Sequence, residues 1–143
     1  MKDSNKTGGQ GLRPATVGLI LVQVLLAVPM GAAGLQKLLG TEAMVDMFAD
    51  IGAGQWLRFV VGTLEITGAV GLLVPRVSGL AAVGLAGVLA GAAVTNAAIL
   101  GVSPALPLGL LALGLLIAWS RREQLPVVSS RRRLPISLPR RAS

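Results

Sequence analysis

The sequence predicts an all-α membrane protein: a four-transmembrane-helix bundle with a short interfacial amphipathic helix between the first two spans. Three observations predict it. Hydrophobic residues make up 53% of the 143-residue chain and charged residues 13%, about half of the roughly 25% charge carried by soluble domains. The charges that remain are unevenly placed. Between Arg13 and Arg121 there are only seven: Lys37, Glu42, Asp46, Asp50, Arg58, Glu65 and Arg76. Four apolar stretches, residues 15–38, 57–74, 78–101 and 104–120, have lengths suited to a hydrocarbon core roughly 30 Å thick.

Residues 1–14, MKDSNKTGGQGLRP, are polar and glycine-rich and read as a disordered cytoplasmic leader. A cleaved signal peptide is the rival, but the apolar run that follows exceeds an h-region of roughly 7–15 residues. The first span, 15–38, contains Pro29, which removes a helical donor and predicts a kink. Residues 41–52, TEAMVDMFADIG, change character. Glu42, Asp46 and Asp50 recur every four residues and make one acidic face. Met44, Met47, Phe48 and Ile51 fall opposite at helical spacing and read as a membrane-facing stripe. Thr41 stands at the N-cap position, although Met44 leaves a capping box incomplete. Such a segment is too short and too acidic to span, and suits the interface.

The second span, 57–74, follows Trp56, an interfacial anchor. Pro75 and Arg76 make a tight basic turn, and the third span, 78–101, carries no charge. Residues 101–107, GVSPALP, form a neutral turn whose prolines suit a helix start. The fourth span, 104–120, ends at Trp119, and residues 121–143 are a Pro- and Arg-rich tail read as disordered. Leader, Arg76 turn and tail hold eleven of the thirteen Lys and Arg. Positive-inside reasoning therefore places both termini in the cytoplasm and the acidic helix outside.

Composition also excludes function classes. The chain has no cysteine, histidine or tyrosine, so it can build neither a thiol relay nor histidine ligation of haem, zinc or copper. No metal site and no covalently bound cofactor are expected. The net charge of +7 does not point to nucleic acid, because the basic tail lacks stacking aromatics and suits anionic lipid better. Nineteen glycines are present, yet no phosphate-binding loop or nucleophile elbow is formed. No catalytic residue is assigned.

What remains is a set of polar positions inside the apolar spans. Glu65 lies about 13 Å along the second span, near mid-membrane, where ionisable groups face a bundle interior or a wet cavity. Arg58, Gly62, Glu65, Ala69 and Leu72 share one helical stripe, and Gln23, Ala27, Met30, Gly34 and Lys37 share another. Asn96 lies about 7 Å below the outer end of the third span. These spacings predict an outward-opening polar pocket with Glu65 at its floor, Gln23 at similar depth, and Lys37, Arg58, Gln36 and Asn96 around its mouth. Glu65 as interhelical glue, satisfied by Gln23 or Asn96, is the competing reading. Gly84, Gly87, Gly91 and Thr95 form a small-residue row, read first as helix packing within the chain and second as a dimer face.

The end of the first span, GAAGLQKLLG with Gly34, Lys37 and Leu38, followed by an amphipathic connector and then GTLEITGAVGLLVP, resembles the DoxX family of small bacterial membrane proteins. The resemblance covers residues 15–120 and includes the four-span layout. It implies residence in the bacterial inner membrane. It also implies association with quinone-linked oxidation or with assemblies joining superoxide detoxification to thiol homeostasis, and it matches Lys37 and Glu65 to recurring polar positions.

Three function classes follow. The first is a non-catalytic membrane subunit of a quinone-linked redox or oxidative-stress assembly, with redox-enzyme subunits as partners and a quinone as the admitted ligand. The second is a transporter or channel for a small solute or proton, working as a homo-oligomer. The third is a membrane tether for a soluble partner.

Overall fold

The computed structural model describes residues 14–124. The expected leader and Arg-rich tail lie outside the described residues apart from Pro14 and Arg121–Gln124. Five α-helices follow in order: α1 Pro14–Leu39, α2 Glu42–Ile51, α3 Gln55–Leu73, α4 Ser78–Ala98 and α5 Ala105–Ser120, then a single 3₁₀ turn, Arg122–Gln124. No strand occurs among the described residues. The expected boundaries hold within three residues. α4 stops early because the Ile99 and Leu100 amides both return to the Thr95 carbonyl, and Gly101 then takes a left-handed φ of 62°, ending the helix.

Local chemistry explains the elements. α1 continues through Pro29 without interruption. Thr41 does stand at the N-cap of α2, but its side chain makes no capping bond. The Val77 amide donates to the Val74 carbonyl at 3.1 Å, closing a turn in which Pro75 presets the second position. Pro104 caps α5 and Pro107 lies in its first turn, where missing amides leave no helical bond unmade.

Three helices, α1, α3 and α4, are long and apolar enough to cross a membrane. α5 is equally apolar but has 16 residues, about 24 Å at 1.5 Å per residue. The outward surface is apolar too: Leu21, Val28, Val70 and Val94 are each more than half exposed. In water such a surface would aggregate; in lipid it is the solvated face. Trp56 and Trp119 stand exposed at opposite ends of the bundle, positions suited to the two interfaces.

The helices are arranged as a ring in which α1 packs on α3, α3 on α4 and α4 on α5, with a thinner joint between α5 and α1. Its two ends differ. Toward the α3–α4 turn, Leu26, Leu72, Leu85 and Ile117 are buried to 1% exposure or less and close the centre with Ala69 and Ala82. Lipid supplies no hydrophobic drive between helices, so this half is held by dispersion contacts and close fit. Toward α2 the helices part.

α2 lies across the opening between them. Its Glu42, Asp46 and Asp50 are exposed, as the periodicity predicts. The opposite stripe corrects the expectation: Phe48 is buried at 4% exposure and, with Met47 and Ile51, faces a cavity inside the bundle rather than lipid.

Candidate functional site in the α2 half of the bundle

The site starts from two glycines. A β-carbon built on Gly34 of α1 would lie 2.8 Å from the Gly62 carbonyl oxygen of α3, and one on Gly62 would lie 3.0 Å from the Gly34 carbonyl and from Lys37 Cβ. Only the absence of side chains lets the two backbones approach this closely. One turn beyond each glycine stand Lys37 and Glu65. The Lys37 Nζ donates to Glu65 Oε1 at 3.0 Å and to Oε2 at 2.9 Å, with side-chain exposures of 12% and 5%. Sequence arithmetic placed Lys37 at the mouth and Glu65 on the floor; the structure joins them as one ion pair.

That pair stands on the wall of a cavity of about 760 Å³ lined by all five helices, within the roughly 300–1,000 Å³ typical of small-molecule sites. Its other polar side chains are Thr95 and Asn96. Everything else on the wall is apolar, including Pro29 and Met30 of α1, Val61 of α3 and Leu110 of α5. An ammonium carries three N–H donors, and Glu65 takes two directions of Lys37. That leaves one N–H of the ammonium beyond the two contacts with Glu65.

The remaining expected residues separate. Asn96 is on the cavity wall and donates to the Ser103 carbonyl at 3.3 Å, tying α4 to the loop before α5. Gln23 is buried but does not reach Glu65. Its Nε2 donates to the Leu72 carbonyl at 2.9 Å, in the closed half, so it is a packing contact. Gln36 is exposed and does not line this cavity. It projects away from the α1 stripe that carries Gly34 and Lys37, and only its carbonyl is used, accepting the Gly40 and Thr41 amides.

Arg58 is buried at 6% exposure yet does not line the cavity. It donates from Nη1 to the Lys37 main-chain carbonyl and from Nε to Gln55 Oε1 at 2.8 Å, and its guanidinium lies 4.4 Å from the Phe59 ring centroid. The guanidinium therefore sits at the C-terminus of α1, where a cation complements the helix dipole. Gln55 in turn donates to the Val45 carbonyl of α2 at 2.9 Å. Sequence reasoning passed over Gln55; its three-residue offset from Arg58 on one helix was the available signal.

The small-residue row of α4 also needs correcting. β-carbons on Gly84, Gly87 and Gly91 would meet nothing within 4 Å, so this row makes no close helix contact within the chain. Gly87, Gly91 and Thr95 form cavity wall instead. The close contacts belong to Gly34 and Gly62 between α1 and α3, and to Gly68 and Gly71 of α3, whose β-carbons would lie 2.5 Å from Leu85 and 2.8 Å from Ala81 of α4. Among the described residues no group of three His, Cys, Asp or Glu is placed to hold a metal.

Spanning-length apolar helices, a lipid-like outer face and an interior charged pair beside a cavity define an integral membrane protein. The particular family follows from comparison: the DoxX-like family model matches residues 21–119, from α1 to the end of α5, and the chain belongs to that family. Comparison with curated proteins finds no match, and comparison with solved structures finds none either.

Proposed function

We propose that this chain is a four-span, non-catalytic membrane subunit of a quinone-linked redox or oxidative-stress assembly in the bacterial inner membrane, with both termini cytoplasmic. Its cavity receives the ligand's head at the Lys37–Glu65 pair. The observation that carries this reading is the pair itself, held at 2.9–3.0 Å on the wall of a mainly apolar cavity. The pair is neutral as a whole, so the site favours an uncharged head with a hydrogen-bond acceptor. A quinone carbonyl is such an acceptor and meets the free Lys37 N–H. The chain supplies no redox group of its own, so electrons belong to the quinone and a partner. Asn96 and Thr95, across the cavity on α4, supply further polar contacts.

The transporter reading is less favoured. The bundle beyond the cavity is filled by Leu26, Leu72, Leu85 and Ile117, which leaves a solute no path to the far end. Decylubiquinone binding in nanodiscs tests the proposal. Wild type is expected to bind, while Glu65→Gln and Lys37→Met weaken binding at least tenfold with helicity retained. Equal affinity in all three removes the site.

A further inference from the structure

We infer that the cavity exchanges its ligand sideways with the bilayer, through the seam between α1 and α5, while α2 closes it toward the aqueous side. The inference rests on the cavity reading above and adds the route, and with the route the ligand class: a membrane-dissolved amphiphile rather than a water-soluble solute.

Three observations converge on the seam. The ring of helices has one thin joint, α5 to α1. It is also the joint between helices far apart in sequence, with no connecting loop of its own to hold it shut. It closes in the core half, where a β-carbon on Gly114 would sit 3.7 Å from Leu26 Cδ2 and Leu26 and Ile117 are fully buried. Beyond that, the two helices stand on either side of the cavity, Pro29 and Ala33 facing it from α1, Leu106 and Leu110 from α5.

The second observation is exposure. Leu25 and Leu106 both line the cavity, yet are 61% and 73% exposed. Gly87 and Gly91 of α4 are exposed wall residues as well, but α4 is packed firmly against both of its neighbours, whereas Leu25 and Leu106 stand on the two helices of the thin joint and mark an opening there. This opening is rimmed by leucines, a lipid-wetted edge that an ionic solute would not cross.

The third is the roof. Met47, Phe48 and Ile51 of α2 cover the cavity with Phe48 at 4% exposure. The helix is clamped from below by the Gln55 Nε2 bond to the Val45 carbonyl at 2.9 Å. Gln55 is itself held by Arg58 at 2.8 Å, and Arg58 by the Lys37 carbonyl. The residue that presents the free N–H to the ligand and the residue that holds the roof thus belong to one hydrogen-bonded chain. With the aqueous side covered by apolar side chains and the lateral side open along leucines, the entry path is the lateral one.

The chain's lack of cysteine makes the test direct. Val61→Cys places a thiol on the α3 wall of the cavity, and Ala49→Cys places a control thiol on the exposed side of α2. Each is reacted in nanodiscs with N-phenylmaleimide and with a membrane-impermeant sulfonatoethyl thiosulfonate. Relative to the control, the maleimide is expected to label Val61→Cys at least ten times faster than the thiosulfonate does. Filling the seam with Leu25→Trp and Leu106→Trp, both at exposed positions, is expected to slow the maleimide at least tenfold at Val61→Cys and not at Ala49→Cys. Comparable labelling by the thiosulfonate, or a maleimide rate untouched by the two tryptophans, overturns the inference. The quinone reading is judged separately. Seam-dependent labelling without decylubiquinone binding keeps the route and removes the quinone, whereas Glu65-dependent binding with seam-independent labelling does the reverse.

Discussion

Lys37 and Glu65 present a clean energetic test, because the structure places their pair in a regime unlike that of ordinary surface ion pairs. Exposed pairs are worth about 0.2–1 kcal/mol. Here the side chains are 12% and 5% exposed and share two hydrogen bonds of 2.9 and 3.0 Å, so removing one partner strands the other in an apolar wall. Breaking a buried pair costs about 3–5 kcal/mol, whereas replacing both members by apolar residues of similar volume is near neutral or stabilising. Lys37→Met and Glu65→Leu are each expected to lose at least about 3 kcal/mol, and the double variant to lie within about 1 kcal/mol of wild type or above it. The resulting coupling is about 5 kcal/mol, larger than the roughly 0.5–3 kcal/mol usual for contacting residues, because each single replacement leaves a charge behind. Reversible unfolding in mixed dodecylmaltoside and SDS micelles, followed by far-ultraviolet circular dichroism, reads all four corners of the cycle. Single losses below about 1 kcal/mol, or a double variant that loses the sum of the two, would refute the reasoning and make the pair a hydrated one.

Two further outcomes follow from the same geometry. Gly34→Ala puts a methyl 2.8 Å from the Gly62 carbonyl and is expected to cost about 1–3 kcal/mol by overpacking; Gly91→Ala, with nothing within 4 Å, is expected to be neutral or to gain up to about 1 kcal/mol of helix propensity, both read by the same unfolding titration. Arg58→Met deletes the bonds to Gln55 and to the Lys37 carbonyl at about 1.5–3 kcal/mol for each charged hydrogen bond; Arg58→Lys is expected not to rescue it, since an ammonium cannot reproduce the guanidinium fork, and equal stability of Arg58→Lys and wild type would contradict this.

Helix positions were legible because their determinants are local. Hydropathy, the Pro75–Arg76 turn and Pro104 lie within a few residues of the ends they set, and the structure reproduces those ends. The site was legible only as a set of residue types. Rise-per-residue arithmetic put Lys37 near the surface and Glu65 at mid-depth, because it assumes straight helices inserted to equal depth. Contact between the two depends on how far α1 and α3 slide together, and that is fixed by Gly34 meeting Gly62 across 28 residues of chain. The α4 row failed as a packing face within the chain for a related reason: Gly84, Gly87 and Gly91 have the spacing of such a face, but small residues look the same in sequence whether a helix of the same chain lies opposite or not. Arg58 shares a stripe with Glu65, yet its long side chain turns toward the α1 C-terminus, where unpaired carbonyls attract it more strongly than an already paired carboxylate.

Lys37 is held at both ends. Its carbonyl receives Arg58, and its ammonium is fixed by two bonds to Glu65. This restraint is more than stability alone demands, since a buried pair does no better than apolar residues of equal volume and often does worse. Helix association at this point is already secured by the contact between Gly34 and Gly62, and the core half is closed without any charge. In the quinone reading, a pair whose joint replacement by apolar residues is expected to leave the fold intact, and which stands on a cavity wall, serves the ligand; in the glue reading it serves only the contact between α1 and α3, and the double variant separates the two. An ammonium locked in this way keeps its third N–H pointed in one direction at no further entropic cost when a ligand arrives. Preorganisation of that single donor is what the proposed quinone site requires of this pair, and loss of decylubiquinone binding in a variant that unfolds like wild type is the result that separates it from packing.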